Sequence, residues 1–460
     1  MPTVLETTVA NNLCIGCGVC AGVCPKYNLQ MQWNQYGEYN PIKINDCGKE
    51  CGLCLKVCPF ADGNKNEDEI GQQLFGNIPD ISHRTETGFH LNSGVGGVTS
   101  KTERYHSASG GLATWFLRQL LSQKKVDGII CAVKTGDPDK LFKFTVATTD
   151  AELCAAAGSV YYPLELSEVI AYILEHPGRY AVIALPCFVK ALRLAQTKNK
   201  TLQERIVMMV SLTCGKLVTS HFAKYIGYCS GLNEDIANLH FRLKSLDNPS
   251  SSYVTKLIGV AGTETTISWN KENLWFAWNL LSHNACNCCD DVFGECADVT
   301  FMDAWLPEYR EKPEGTSLWI SRSPIVDDIF VQGIETGVLN ASLLPISKII
   351  ESQTPNGLIK KKKHTLSYCL KLLAVKGHSV PQKRVPVGEL PVPWIDRHNC
   401  KRHLLMMEKA KNELVCSGYN YQHMEEWFAK NAKDNIIIRS ILFSFAAFNY
   451  ALRKIGMKHT

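Results

Sequence analysis

Cys14, Cys17, Cys20 and Cys24 stand in CIGCGVCAGVCP with gaps of two, two and three residues, followed by Pro25. A second run, CGKECGLCLKVCP, places Cys47, Cys51, Cys54 and Cys58 before Pro59, with a first gap of three. Three thiolates two residues apart, on a chain that curls back on itself, reach three irons of one cubane, while the fourth cysteine of each run serves the other cluster. Cys14, Cys17, Cys20 and Cys58 are therefore assigned to one 4Fe-4S cluster, and Cys47, Cys51, Cys54 and Cys24 to a second. The longer first gap departs from the usual run at Cys47, where Gly48 makes a bulge easy. Gly16, Gly18 and Gly22 are expected to let the main chain approach the cluster, with loop amides donating to sulfur. Zinc ribbons with four cysteines also use C-x2-C, but they need pairs separated by a longer loop. Two quartets closing on Cys-Pro fit iron and sulfide better.

The bulk properties narrow the class. Twenty cysteines fall in 460 residues, and the opening MPTVLETTVANN has no basic segment followed by an apolar stretch. Reduced thiols and a cytoplasmic location are expected. Hydrophobic content of 45% and charged content of 20% are ordinary for globular chains and fit disordered, collagen-like or membrane-spanning classes poorly. Residues 401–460 hold ten Lys plus Arg against five Asp plus Glu, which accounts for the whole net charge of +5. A solvated basic face is the expected reading. Nucleic-acid binding is not expected, because no aromatic and basic residues interleave along a groove-like stretch.

The elements that position these residues follow from pattern. Residues 1–62 read as a small α+β bacterial-type two-cluster ferredoxin domain, and 63–103, polar and Gly-rich, as a linker. Residues 104–350 read as an α/β catalytic domain with a mixed, largely parallel sheet. Its strand candidates are 126–133, 143–148, 180–185, 205–212, 298–305 and 317–321, several of them continuously apolar as buried strands are. GLATWFLRQLLSQ and SEVIAYILE carry helical spacing. Lys360 to Lys363 and four prolines within 381–393 mark departure from that core, and 351–460 reads as a basic helical extension. Residues 436–455 carry an apolar stripe broken by Ser444 and Asn449. A helix packed on the body is expected there, with peripheral membrane contact as the alternative.

Several strings in the larger domain, taken in order, carry a family resemblance: SASGGLATWFL (107–117), GSVYYP (158–163), ALPCFVKALR (184–193), SLTCGK (211–216), FRLK (241–244), CNCCDDVFGECADVTFMDAW (286–305) and GTSLWI (315–320). With the cysteine runs they resemble the coenzyme F420 hydrogenase/dehydrogenase beta-subunit family, which includes 7-hydroxymethyl chlorophyll a reductase and members linked to polysaccharide biosynthesis. The resemblance covers roughly residues 10–345 and implies a noncovalent FAD and a third 4Fe-4S cluster. By it, Ser109, Gly110 and Gly111 form a turn at a helix start suited to a flavin or phosphate, and Gly158 with Ser159 forms a second cofactor contact. The lysine that often follows in the family is Val160 here. Cys286 and Cys289 form a C-x2-C pair, and Cys187 and Cys214 each follow an apolar strand that would end at one sheet edge, where ligands gather. These four are the implied ligands, with Cys288 and Cys296 as substitutes. Arg242 and Lys244 are candidates for anionic parts of cofactor or substrate, or else a solvated basic edge.

The family's Gly-Thr-Pro-Cys is Ala184-Leu185-Pro186-Cys187 here, and its Gly-Asp-Phe-Trp is Met302-Asp303-Ala304-Trp305, departures that suggest a changed substrate. Cys131, Cys154, Cys229, Cys369, Cys400 and Cys416 show no paired spacing and are expected to be buried or incidental. His221 and His240 are candidate proton donors, with a core or surface role the commoner reading. The expected function is a ferredoxin- or F420-linked oxidoreductase that passes electrons between ferredoxin, or another one-electron redox protein, and a small-molecule two-electron acceptor; by resemblance that acceptor is coenzyme F420, an oxidised or unsaturated sugar of a polysaccharide pathway, or a pigment-like carbonyl. The alternative is an electron-transfer subunit serving a separate catalytic chain. Anaerobically purified protein should carry about twelve irons, matching sulfide, and one FAD per chain; colourless or zinc-loaded material would contradict the iron-sulfur reading.

Overall fold

A computed structural model describes residues 2–47, 51–245, 247–269, 272–354, 358–384 and 391–433. The apolar stripe expected over 436–455 lies outside the described residues. In the amino-terminal module, β1 (Leu29–Trp33) and β2 (Tyr39–Lys43) pair antiparallel, with Leu29 opposite Lys43 and Trp33 opposite Tyr39. The rings of Trp33 and Tyr39 stack at 3.7 Å. One turn of helix follows each cysteine loop, Val19–Gly22 and Leu53–Lys56.

The stretch 63–103, expected as a linker, is ordered structure. It holds the helix Glu67–Phe75, closed by a capping box between Asn66 and Glu69, a hairpin of β3 (Ser82–Arg84) and β4 (Gly88–His90), and β5 (Ser93–Val98), buried at every position. The sequence SGVGGV lacks the apolar run that announces a strand. Its glycines answer to packing: a Cβ on Gly94 would lie 2.2 Å from the Trp319 ring, and one on Gly96 would lie 2.4 Å from Ala341.

The larger domain contributes β6 (Gly128–Lys134), β7 (Phe142–Ala147), β8 (Tyr180–Ala184) and β9 (Ile206–Leu212). A separate antiparallel sheet follows, built from β10 (Ile236–Leu243), β11 (Val254–Gly259) and β12 (Glu264–Ser268). The chain then returns with β13 (Val299–Asp303), β14 (Ser317–Ser321) and β15 (Leu339–Leu343). The main sheet has eight strands in the order β15-β5-β14-β13-β9-β8-β6-β7. Its inner strands β6, β8, β9 and β13 run parallel, and both flanks are antiparallel. The sheet is therefore mixed, and the six strands expected from apolar runs are all in it. β5 and β15 are the ones that pattern alone missed. Trp319, Phe330, Phe116 and Phe301 fill one face, with Trp319 and Phe330 stacked at 4.3 Å.

The described carboxyl-terminal part is helical. Leu358–Val375 packs on the short turn Asn284–Cys288, and Trp394–Cys416 packs on Leu358–Val375 and on Glu272–Leu280. Lys411 donates to Glu38 in the β1–β2 hairpin at 2.5 Å, and Tyr36 donates to Asn412 at 3.1 Å. No helix among the described residues is long and apolar enough to cross a membrane.

His221, on the helix Ser220–Cys229, joins three parts of the chain. Its Nε2 donates to the carbonyl of Gln35 at 3.3 Å, and its Nδ1 accepts from the Tyr421 hydroxyl at 2.9 Å. Burial lowers its pKa from 6.5 to about 4. The unfolded chain therefore binds more protons between those values, and stability is lost as pH falls from 6.5 towards 4. Urea midpoints across that window should fall more steeply for the parent than for His221→Gln, and parallel curves would show that His221 does not carry the effect.

Candidate redox sites

The cysteines of the two amino-terminal runs do not sort by run. Cys14, Cys17, Cys20 and Cys58 line one space of about 330 Å³, together with Val4, Met31 and Phe60. Cys24, Cys47, Cys51 and Cys54 line a second of about 410 Å³, with Cys20 on its wall as well. The grouping is the exchange of fourth cysteines that the spacing implies. Among the described residues no three His, Cys, Asp or Glu side chains converge tightly enough to hold a single metal ion; the thiols are arrayed around open volume, as ligands of separate irons of a cubane are. Burial raises the thiol pKa of Cys14 and Cys20 well above the ordinary value and that of Cys17 to about 12. Cluster assembly must then release protons. Backbone amides already point at sulfur: Gly16 donates to Cys14 Sγ at 3.4 Å and Asn28 to Cys24 Sγ at 3.3 Å.

The loop glycines act differently from expectation. The room they leave is taken by protein. A Cβ on Gly16 would lie 2.7 Å from the Tyr39 carbonyl, on Gly18 2.5 Å from Glu165 Oε2, and on Gly22 2.8 Å from Ile170. The first cysteine loop is thus pressed against the larger domain, where Leu166 N donates to the Cys17 carbonyl at 2.9 Å.

A third group of cysteines gathers at the carboxyl ends of parallel strands. Cys187 opens the helix Pro186–Gln196 just past β8, and Cys214 follows β9. Cys286 lies in the turn Asn284–Cys288, with Cys289 just after it. Burial raises Cys187 well above the ordinary range, Cys214 to about 12 and Cys289 to about 11; the Cys187 thiol lies within electrostatic reach of Cys214, Cys289 and Cys286, and also of Cys17. Leu217 N donates to Cys286 Sγ at 3.2 Å. Cys288 is buried and hydrogen-bonded to Cys369. The Cys296 side chain is fully buried beside Lys190 and Asp291. Lys362, Lys383 and Asp290 border the group; Asp290 stands next to Cys289 in the sequence, whereas only folding brings Lys362 and Lys383 to it.

The residues expected to meet a flavin are divided. Gly158, Ser159 and Arg242 line a cleft of about 500 Å³ with His106, Lys134 and His240. Ser109 and Gly110 are held under the sheet instead: Ser109 Oγ donates to the Thr316 carbonyl at 2.7 Å, Gly110 N donates to Ser317 Oγ at 2.9 Å, and a Cβ on Gly110 would meet the Gly96 carbonyl at 2.5 Å. Gly111, at φ +84°, starts the helix Leu112–Ser122. Lys244 Nζ donates to the carbonyls of Arg104, Ser109 and Glu314, and burial lowers its pKa to about 7. Arg242 pairs with Asp303 at 2.8 Å and lies 4.5 Å from the Tyr253 ring centroid. Lys134 and His240, 2.9 Å apart, were reachable only in part: His240 as a lone histidine, Lys134 not at all. The small-residue string Ala155-Ala156-Ala157-Gly158-Ser159 in the wall is visible in the sequence.

Comparison with known proteins agrees with this architecture. Residues 95–171 match the family model for the amino-terminal part of the coenzyme F420 hydrogenase/dehydrogenase beta subunit, and residues 178–345 match the model for its carboxyl-terminal part. Residues 13–61 match the 4Fe-4S dicluster domain. The chain belongs to the coenzyme F420 hydrogenase/dehydrogenase beta-subunit family and carries an amino-terminal 4Fe-4S domain. It is 22% identical over 368 residues to an uncharacterized protein of Methanocaldococcus jannaschii, covering 74% of this chain and 93% of that one. It is 26% identical over 193 residues to the coenzyme F420-dependent sulfite reductase of the same organism, covering 42% of this chain and 26% of that protein. A chain from the F420-reducing nickel-iron hydrogenase complex of Methanosarcina barkeri aligns with a TM-score of 0.48 at 17% identity, covering 66% of this chain and 99% of that chain.

The Arg242–Asp303 pair is mostly out of water, with side chains 7% and 22% exposed. Removing one partner strands the other's charge. Asp303→Ala should therefore cost about 3–5 kcal/mol in denaturant unfolding, and Arg242→Met with Asp303→Leu should recover much of it; equal losses for single and double variants would contradict the pairing.

Proposed function

We propose that the chain is an iron-sulfur flavoprotein oxidoreductase that passes electrons between a one-electron carrier such as ferredoxin and a two-electron acceptor. The observation that carries this reading is the succession of cysteine groups. Cys20 borders both amino-terminal spaces, and Cys17 in turn lies within electrostatic reach of Cys187. In this reading the ligands are Cys14, Cys17, Cys20 and Cys58, then Cys47, Cys51, Cys54 and Cys24, then Cys187, Cys214, Cys286 and Cys289. Residues 1–62 form the electron-receiving unit, and 104–350 form the catalytic one.

The cleft lined by Gly158, Ser159 and Arg242 is our site for FAD. Its charged or titratable lining, His106, Lys134, His240 and Arg242, is basic throughout, as a phosphate-bearing ligand requires. A flavin bound there would couple single-electron carriers to hydride chemistry. Gly158, at φ +129° with open space where a Cβ would stand, lets a ligand approach bare backbone. Lys134 donates to His240, which burial and the neighbouring ammonium keep neutral. The acceptors to test, all by resemblance to family members, are coenzyme F420, an oxidised or unsaturated sugar and a pigment-like carbonyl.

A second reading, an electron-transfer subunit without its own substrate, draws on the sulfite reductase relative, in which the similar segment is about a quarter of a longer protein. The two readings part on flavin. Anaerobic protein should hold one noncovalent FAD whose absorbance is bleached by reduced ferredoxin, whereas clusters without flavin would favour the subunit reading. Cys187→Ser and Cys286→Ser should each remove about four of twelve irons, and full iron retention would overturn the third ligand set.

A further inference from the structure

The chain beyond residue 345 lies outside the matched family models, yet it reaches the third cysteine group. The helix Leu358–Val375 packs on the turn that carries Cys286, and its Leu366, Cys369 and Leu370 are buried in the same core as Cys17 and Cys288. From this helix Lys362 lies within electrostatic reach of Cys289, Cys214, Cys286 and Asp290. Further on, Lys383 donates to Glu67 at 2.8 Å, lies 4.9 Å from the Phe60 ring centroid and stands within electrostatic reach of Cys289. Arg384 closes the segment with ion pairs to Asp290 at 3.2 Å and to Glu295.

We infer that residues 358–384 are an electrostatic lid for the catalytic-domain cluster, in which Lys362 and Lys383 set its reduction potential by placing fixed positive charge beside the four cysteine ligands. The inference rests on the proposed ligand set Cys187, Cys214, Cys286 and Cys289. Reduction adds one electron to a centre already made anionic by four thiolates, and no bond forms or breaks. A nearby fixed cation therefore stabilises the reduced state more than the oxidised state, and cluster potentials respond to local charge and exposure. The two lysines divide the work: Lys383 is fully buried and fixed by Glu67, whereas Lys362 is only half-buried and is the safer one to change.

The test is an anaerobic redox titration of the holoprotein followed by electron paramagnetic resonance. The signal that disappears in Cys187→Ser and Cys286→Ser marks the catalytic-domain cluster. Lys362→Met should lower its reduced-to-oxidised ratio at fixed potential about tenfold, which is about 59 mV for a one-electron couple. Lys362→Glu should move it about twice as far, Lys362→Arg should restore it, and the exposed Lys376→Met should leave it alone. The amino-terminal signals should stay in place throughout. If Lys362→Met loses iron, Lys362→Gln replaces it. An unmoved potential in iron-replete Lys362 variants overturns the lid while leaving the ligand set standing. If neither cysteine variant removes a signal, the ligand set fails and the lid fails with it.

Discussion

Buried negative charge has to be matched where it is buried, and the molecule is organised around that constraint. Glu67 is 1% exposed, with Lys190 Nζ at 3.1 Å and Lys383 Nζ at 2.8 Å, themselves 2% and 1% exposed. Burial works against the carboxylate, but Lys190, Lys383 and Arg384 hold its pKa well below the usual range. The three groups come from the stretch after the second cysteine run, from the helix that carries Cys187, and from the carboxyl-terminal extension. Removing Glu67 leaves the two buried ammonium groups without that partner, a loss of several kcal/mol. The ionic knot thus ties together the segments that bear the cysteines.

The same electrostatics extends to the thiols. Lys190 lies close enough to Cys58 to pull its thiol pKa down against the burial that raises it, and Lys383 and Lys362 do the same for Cys289. Side chains fixed in a packed interior hold that positive charge in place without reorganisation. Apolar packing does the remainder. Val19, Val57 and Phe60 of the cysteine module share one core with Ile170, Phe188 and Leu192 of the α/β domain. The module and the domain behind it are consequently one packed body along the line of cysteines.

The cleft follows a different rule. It opens where Lys134 ends β6 and where β10 brings His240 and Arg242 over it. Loops at the carboxyl ends of parallel strands are free to vary while the sheet stays fixed, which is why ligands collect there. Arg242 is neutralised by Asp303, so the accessible positive charge in the wall comes from Lys134.

Short-range spacing determined the amino-terminal cysteine runs, because geometry around a cubane is set within a dozen residues, and apolar runs determined six strands, because burial on two faces leaves continuous hydrophobic segments. The sequence by itself also supported the family membership and the third cysteine set as an expectation. Other features belonged to tertiary structure alone. β5 is a strand because Trp319 and Ala341 leave room only for glycine, a property of its neighbours that no local pattern records. Gly110 proved to be a packing residue under β5 and Lys244 a clamp on three carbonyls, since what a polar or small side chain meets depends on segments far away in the chain. The placing of Lys362 and Lys383 within electrostatic reach of Cys289 was likewise decided by folding, because it depends on a helix and a segment more than sixty residues further along the chain.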